Sequence, residues 1–154
     1  MTPVNCPFCR KLADLGGLSP EELIWQFPHS VALLGPWQHY LGYCILVARH
    51  HASELNHLPE AERIAYFNEM CLLAKAIDAA FHPRKVNYEL LGNQVPHLHW
   101  HLFPRYDHDP DVLKPVWLAL DRAERDEAMN RQMRTGRMEQ IEIAERLRNA
   151  LEHL

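Results

Sequence analysis

The sequence predicts an α+β fold in which an antiparallel sheet of about five strands is crossed by one long helix. The first observation is a series of short apolar segments with Gly or Pro near their edges, which is typical of strands. The second is one long segment with helical periodicity between the third and the fourth of them. The predicted strands cover residues 23–27, 30–35, 42–49, 86–91 and 98–103.

The predicted long helix covers residues 59–81. Pro59 and the acidic residues that follow it suit the first turn of a helix, where a missing N–H is tolerated and negative charge is favoured. Pro83 cannot continue a helix and ends the segment. Apolar residues recur through it at helical spacing: Ile64, Phe67, Cys71, Ala74 and Ile77.

The C-terminal segment, 117–154, is mostly helix-forming and strongly charged, and Gly136 predicts a break between two helices. We therefore expect residues 1–110 to form the α+β domain and residues 111–154 to be a helical extension of the same domain. An apolar stripe in the extension packs either on the domain or against a partner: Ile141, Ala144, Leu147 and Leu151.

The composition favours a protein of the cytoplasm that binds neither membranes nor nucleic acid. Its 16 basic and 20 acidic residues give a net charge of −4, which disfavours general affinity for a nucleic-acid backbone. No apolar run approaches the roughly 20 residues of a spanning helix, and residues 1–6 lack the features of a secretory signal. The unusual feature is the 11 histidines, which indicate where the chemistry lies.

Three of these histidines, His97, His99 and His101, alternate along a predicted strand. Alternate residues of a strand face the same side, so the three imidazoles are neighbours. A merely polar sheet face would explain the pattern at the expense of strand packing. Two functional interpretations remain: a metal site made of three histidines, or a nucleophilic histidine flanked by histidines that bind an anion.

Cys6 and Cys9 form a close pair near the start of the chain, which suggests metal or redox chemistry in a reducing compartment. A redox dithiol of the glutaredoxin type needs a strand before the pair, and only five residues precede Cys6. The alternative is half of a closed zinc site, which would take two histidines from elsewhere.

With these residues in hand, the sequence resembles the histidine-triad (HIT) family over residues 4–108. The alternation from His97 to Phe103 carries the resemblance, and the Cys pair, a strand ending near His51 and the position of Asn93 agree with it in order. Within the family the chain looks most like the bacterial branch akin to diadenosine tetraphosphate hydrolases.

The resemblance implies a role for each residue near the triad. His99 matches the family's nucleophile on the α-phosphate, and His101 matches a contact to the phosphate oxygens. Asn93 and Gln94 match positions that hydrogen-bond to phosphate. At Gly35 the chain departs from relatives that carry a ribose-binding Asn, so the resemblance does not predict how a nucleoside is recognised.

The resemblance also implies a structural zinc ion bound by four residues, and it implies a homodimer. The predicted ligands are Cys6, Cys9, His51 and His97, with His50 as an adjacent competitor for the third place. Alternation along the strand allows only one of the two neighbours to point at the metal.

The function implied is a nucleotide hydrolase or transferase acting on a phosphoanhydride or phosphoramidate through a nucleotidyl-histidine. Two rivals are a non-catalytic nucleotide-binding regulator of the same fold and a zinc hydrolase that uses the triad as metal ligands. The cysteines discriminate against the zinc hydrolase, since a site of histidines alone would not need them.

Overall fold

The computed structural model describes residues 5–109 and 111–154, and within them the sheet has the predicted five strands. Every neighbouring pair is antiparallel, in the order β1-β2-β3-β5-β4. The strands are β1 (Leu23–Gln26), β2 (Ser30–Leu34), β3 (Cys44–Ala48), β4 (Lys85–Glu89) and β5 (His99–Arg105). The predicted α+β class is thereby confirmed.

The long helix is α2 (Glu60–Phe81), preceded by Pro59 at its N-cap. His82 ends it in the left-handed conformation, one residue before Pro83. The other α-helices of the described ranges are α1 (Pro7–Ala13), α3 (Val116–Glu124), α4 (Glu127–Arg134) and α5 (Gln140–Glu152). None of the helices in the described ranges is long and apolar enough to cross a membrane.

The two faces of the sheet are covered by different helices. One face packs on α2 and α5 and forms the largest hydrophobic core. On the other face, α1 covers Val31, Leu33 and Val47, and α3 covers Tyr43 and Phe103. Directly paired residues of antiparallel strands share a face, and His99 is paired with Val47. The histidines of β5 therefore lie on the α1 and α3 face.

The C-terminal segment contains three helices rather than the predicted two. A break near Gly136 is present, because α4 ends at Arg134 and α5 begins at Gln140. A second break lies at Asp126, whose side chain accepts hydrogen bonds from the backbone N–H groups of Ala128 and Met129. This N-cap, a common way to start a helix, was not predicted from the sequence.

The apolar stripe of α5 packs within the chain. Ala144, Leu147 and Leu151 are buried in the largest core, together with Ile143. Only Ile141 remains 41% exposed. The stripe thus gives no support to a dimer, and it shows that the extension completes the core under the sheet.

Candidate active site and metal centre

Strand β5 and the residues just before it position the three alternating imidazoles on one face of the sheet. The rings of His99 and His101 lie 4.8 Å apart between centroids. Phe8 of α1 contacts both His97 and His99, at 5.8 and 4.7 Å between centroids. All three histidines are buried, so each must use its nitrogens in a defined contact.

The first group around this strand is a cluster of two thiols and two imidazoles. One donor atom from each of its four residues lies within 4.8 Å of the others. The Nδ1 atom of His97 lies 3.3 Å from the Sγ of Cys6 and 3.5 Å from the Sγ of Cys9. The Nδ1 atom of His51 lies 3.2 Å from the Sγ of Cys9 and 3.2 Å from the Nδ1 of His97.

These separations fit a tetrahedral metal site. Four N and S ligands at ordinary zinc bond lengths stand about 3.3 to 3.8 Å from one another. The ring of His97 is oriented for it, because its Nε2–H donates to the carbonyl oxygen of Ala48 at 2.7 Å and leaves Nδ1 free. Burial, and then the neighbouring Cys6, raises the pKa of the Cys9 thiol to about 11. The Cys9 thiol therefore needs a nearby cation to ionise at neutral pH, and zinc would supply it.

His51, not its neighbour His50, points into this cluster. The His50 side chain is 49% exposed and its Nδ1 lies 3.3 Å from a carboxylate oxygen of Glu62. Among the described residues, the cluster therefore contains His51 and not His50.

The second group lines an open pocket of about 520 Å³. The residues expected to act on phosphate, His99, His101, Asn93 and Gln94, all line it. The remaining lining residues are Trp37, Leu91, Gly92, Val95, Trp117, Asp121 and Glu124. None of these is a lysine or arginine, so in the described part of the chain no permanently cationic side chain lines the pocket.

His99 is held in the orientation that a nucleophile needs. Its Nδ1–H donates to the carbonyl oxygen of His97 at 2.6 Å, which leaves the lone pair on Nε2. Burial lowers the pKa of the His99 imidazole below its usual value. A neutral imidazole has a nucleophilic nitrogen, whereas an imidazolium has none.

His101 is the second imidazole of the pocket. Its Nδ1 lies 2.7 Å from the hydroxyl of Tyr43. Burial, and then the nearby His99, lowers the pKa of His101 to about 3. The ring is therefore neutral at physiological pH, a dipole rather than a cation.

Helix α3 supplies a wall of the pocket that sequence analysis missed. The Trp117 ring meets His101 edge-on at 5.2 Å between centroids, and its indole N–H donates to the carboxylate of Glu89. Asp121 and Glu124 lie farther along the same wall. The buried residues of α3, Val116, Ala119, Leu120 and Ala123, have helical spacing that indicates a packed helix but not the surface it covers.

Residues 17–108 of the chain match the family model of the HIT domain. A protein of Bacillus subtilis named "Protein hit" is 28% identical over 118 residues, which is 73% of this chain and 79% of that protein.

Two solved structures of similar fold cover nearly the whole chain. One is a zinc-bound histidine triad family protein from Mycobacterium smegmatis, with a TM-score of 0.68 and 16% sequence identity. The match covers 99% of this chain and 96% of the M. smegmatis chain. A hypothetical histidine triad nucleotide-binding protein from Sulfolobus tokodaii has a TM-score of 0.68 at 17% identity, covering 97% and 93%. At these identities the likeness is one of fold.

Proposed function

This chain belongs to the HIT domain family, and from that premise we propose that it hydrolyses or transfers a nucleotide through a covalent nucleotidyl-histidine on His99. The observation that carries the proposal is the hydrogen bond from His99 Nδ1–H to the carbonyl oxygen of His97. It assigns the free lone pair to Nε2, in a pocket that His101 and two side-chain amides also line.

The proposed reaction has two steps. In the first, Nε2 of His99 forms a bond to the α-phosphorus, and the bond from phosphorus to the leaving group breaks. The leaving group departs with the electron pair of that bond and takes a proton from solvent. In the second step water attacks phosphorus, the N–P bond breaks, the electron pair returns to Nε2, and the proton of the water goes to solvent.

The contact to the His97 carbonyl supports both steps. While Nε2 carries the nucleotidyl group, the His99 ring bears a positive charge and retains its Nδ1 proton. A carbonyl oxygen 2.6 Å from Nδ1 accepts that proton's hydrogen bond and stabilises the charged ring. Asn93, Gln94 and His101 bind the phosphate oxygens in this proposal, as neutral groups that add no charge of their own.

The proposed substrates are phosphoanhydrides or phosphoramidates of nucleotides, with dinucleoside polyphosphates such as diadenosine tetraphosphate as the specific case. Hydrolase and transferase differ only in the acceptor of the second step. Assays with dinucleoside polyphosphates and with nucleoside phosphoramidates separate the two substrate classes directly.

We propose that zinc has a structural role. Cys6, Cys9, His51 and His97 occupy all four positions of a closed site, so a bound ion would supply folding energy. The rival zinc hydrolase needs three imidazoles on one ion. That arrangement disagrees with the contacts of His97, since its Nδ1 lies within the cluster and its Nε2–H donates to Ala48, which leaves no nitrogen for an ion shared with His99 and His101.

A trapped intermediate tests the proposal against the non-catalytic regulator. The protein is mixed with a nucleoside phosphoramidate or a dinucleoside polyphosphate, quenched within the first turnover, digested and analysed by mass spectrometry. We expect one added nucleotidyl mass on the peptide that contains His99, and none in His99→Ala. Turnover without an adduct, or an adduct that persists in His99→Ala, would contradict the proposal, and binding without turnover would favour the regulator.

A homodimer and a cytoplasmic location, with neither nucleic acid nor membrane as partner, remain predictions. The dimer is supported by an apolar patch on α2, where Ile64 is 53% exposed and Phe67 is 37% exposed beside Trp100. The buried Nε1 of Trp100 has no hydrogen-bond partner in the described ranges. Light scattering at micromolar concentration should give twice the chain mass, reduced by Phe67→Glu and unaffected by Ile141→Glu on α5. A monomeric mass would refute the dimer.

A further inference from the structure

Tyr43 is a buried side chain that touches the candidate active site without lining its pocket. Its ring stacks on Phe103 at 4.0 Å between centroids, with 7° between the planes, and is fully buried. Its hydroxyl reaches Nδ1 of His101 at 2.7 Å. The phenol therefore contacts the nitrogen of His101 that faces away from the pocket.

The ring of Tyr43 occupies the space beside Gly35. A Cβ built on Gly35 would lie 2.1 Å from two carbon atoms of the Tyr43 ring, which any larger residue would displace. The backbone N–H of Gly35 donates to the carbonyl oxygen of Tyr43 at 2.9 Å and fixes the two residues together. The Tyr43 ring can therefore lie behind His101 only because Gly35 has no side chain.

The buried hydroxyl of Tyr43 carries one proton, which needs a hydrogen-bond acceptor. Burial raises the pKa of Tyr43 well above its usual value, so the phenol stays protonated. His101 is its one hydrogen-bond partner among residues 5–109 and 111–154. If His101 donated from Nδ1, the phenol proton would be buried without an acceptor, which is costly. The satisfied arrangement has Tyr43 donating to Nδ1, so that the proton of His101 is on Nε2.

We propose that Tyr43 is a positioning residue that fixes His101 as its Nε2–H tautomer, and that Gly35 makes room for it. This inference rests on the proposed function, in which His101 meets a phosphate oxygen. With the proton on Nε2, His101 presents an N–H donor to that oxygen. In the other tautomer it would present a lone pair to an anion, in a pocket whose lining contains no lysine or arginine in the described residues.

Tyr43→Phe removes the hydroxyl and keeps the ring. The first readout is the tautomer of His101, measured by long-range ¹H–¹⁵N correlation on histidine-labelled protein and assigned with His101→Asn. We expect a protonated Nε2 and a bare Nδ1 in the native protein, and a mixture of tautomers in Tyr43→Phe. Tyr40→Phe is the matched control, because Tyr40 lies in the same aromatic cluster but its ring packs on Phe103 rather than on His101.

The second readout is turnover of a nucleoside phosphoramidate. We expect kcat/KM to fall about 10- to 100-fold in Tyr43→Phe, as is typical when a residue that orients another is lost, and to stay unchanged in Tyr40→Phe. Gly35→Ala should reproduce the tautomer mixture, with circular dichroism confirming that the protein is folded.

The two readouts separate this inference from the proposed function. If no nucleotide is turned over, the proposed function fails, and the tautomer still decides whether Tyr43 positions His101. A protonated Nδ1 in the native protein, or a tautomer unchanged by Tyr43→Phe, would overturn the role of Tyr43. An unchanged tautomer in folded Gly35→Ala would overturn the role of Gly35.

Discussion

The cluster of two thiols and two imidazoles lies beside the pocket. Both include histidines from residues 97–101, yet they are organised in opposite ways. In the cluster one donor atom from each of the four residues lies within 4.8 Å of the others, as a closed four-ligand site would require. In the pocket, His99 and His101 face an open volume of about 520 Å³. One site is closed and suited to stability, and the other is open and suited to chemistry.

The difference arises from the partner that each ring has at its other nitrogen. His97 donates from Nε2 to Ala48 and offers Nδ1 to the cluster, whereas His99 donates from Nδ1 to His97 and offers Nε2 to the pocket. Three identical side chains, two residues apart, therefore need no difference in their own chemistry to take different roles. In the proposed division of roles, the contacts behind His97 and His99 decide which nitrogen each ring offers.

His99→Ala should produce the largest effect and confine it to the pocket. We expect product formation to fall about 1,000-fold or more, because the nucleophile is lost while Asn93, Gln94 and His101 still bind substrate. Zinc content and melting temperature should stay near those of the native protein. His153→Ala, at an exposed histidine on the C-terminal turn, is the control. Near-native turnover in His99→Ala would remove covalent catalysis at this residue.

Cys9→Ala should lower zinc content and stability much more than it lowers turnover. Loss of a ligand empties a closed site, so we expect less than the native content of about one zinc per chain and a melting temperature lower by about 10 °C or more. The rate per folded molecule should fall much less. The exposed Cys71, changed to Ala, is the matched control for loss of a thiol. Turnover lost at an unchanged melting temperature would count against the division between the two sites.

Variants of His51 and His50 test which of these two neighbours belongs to the cluster. His51→Ala should lower the zinc content measured by elemental analysis, since His51 Nδ1 lies 3.2 Å from the Sγ of Cys9. His50→Ala should leave the zinc content intact, because its ring is directed at Glu62. Equal losses in the two variants would show that the cluster does not discriminate between them.

Trp117→Ala should have the smallest effect, again on the pocket alone. The indole forms part of the wall beside His101, and its aromatic neighbours in the described ranges, Trp37, His101 and Phe103, lie outside the cluster. We expect KM to rise about tenfold, the equivalent of one lost aromatic contact, with kcat changed less and zinc content unchanged. Leu118→Ala, at an exposed residue of the same helix, is the control. A loss of zinc in Trp117→Ala would contradict the separation of the two regions.

The sequence alone predicts those features of the two sites that depend on the alternation of strand residues and on the spacing of the cysteines. Alternation brought His97, His99 and His101 to one face, and the close spacing of Cys6 and Cys9 brought both thiols to one cluster. These are local properties of a strand and of a helical turn, and they hold whatever packs around them.

The contacts that distinguish the rings depend on the tertiary structure and could not be predicted in the same way. Tyr43 looks like an ordinary strand residue, and only its register opposite the end of β5 places the hydroxyl at His101. Trp117 follows the loop after β5, where the buried Arg105 donates to Asp109 at 2.7 Å and to the carbonyl oxygen of Lys114. Those contacts direct α3 to the pocket, and no periodic pattern in the sequence indicates them.

The ligands of the cluster are far apart in the chain, which has a consequence for its synthesis. Cys6 and His97 are separated by 91 positions. At about 5 to 20 residues per second, translation delivers His97 roughly 5 to 20 s after Cys6. During that interval the two cysteines extend from the ribosome as free thiols, open to exchange with any disulfide nearby. We therefore expect an oxidising environment around the nascent chain to lower the fraction of molecules that reach the folded state.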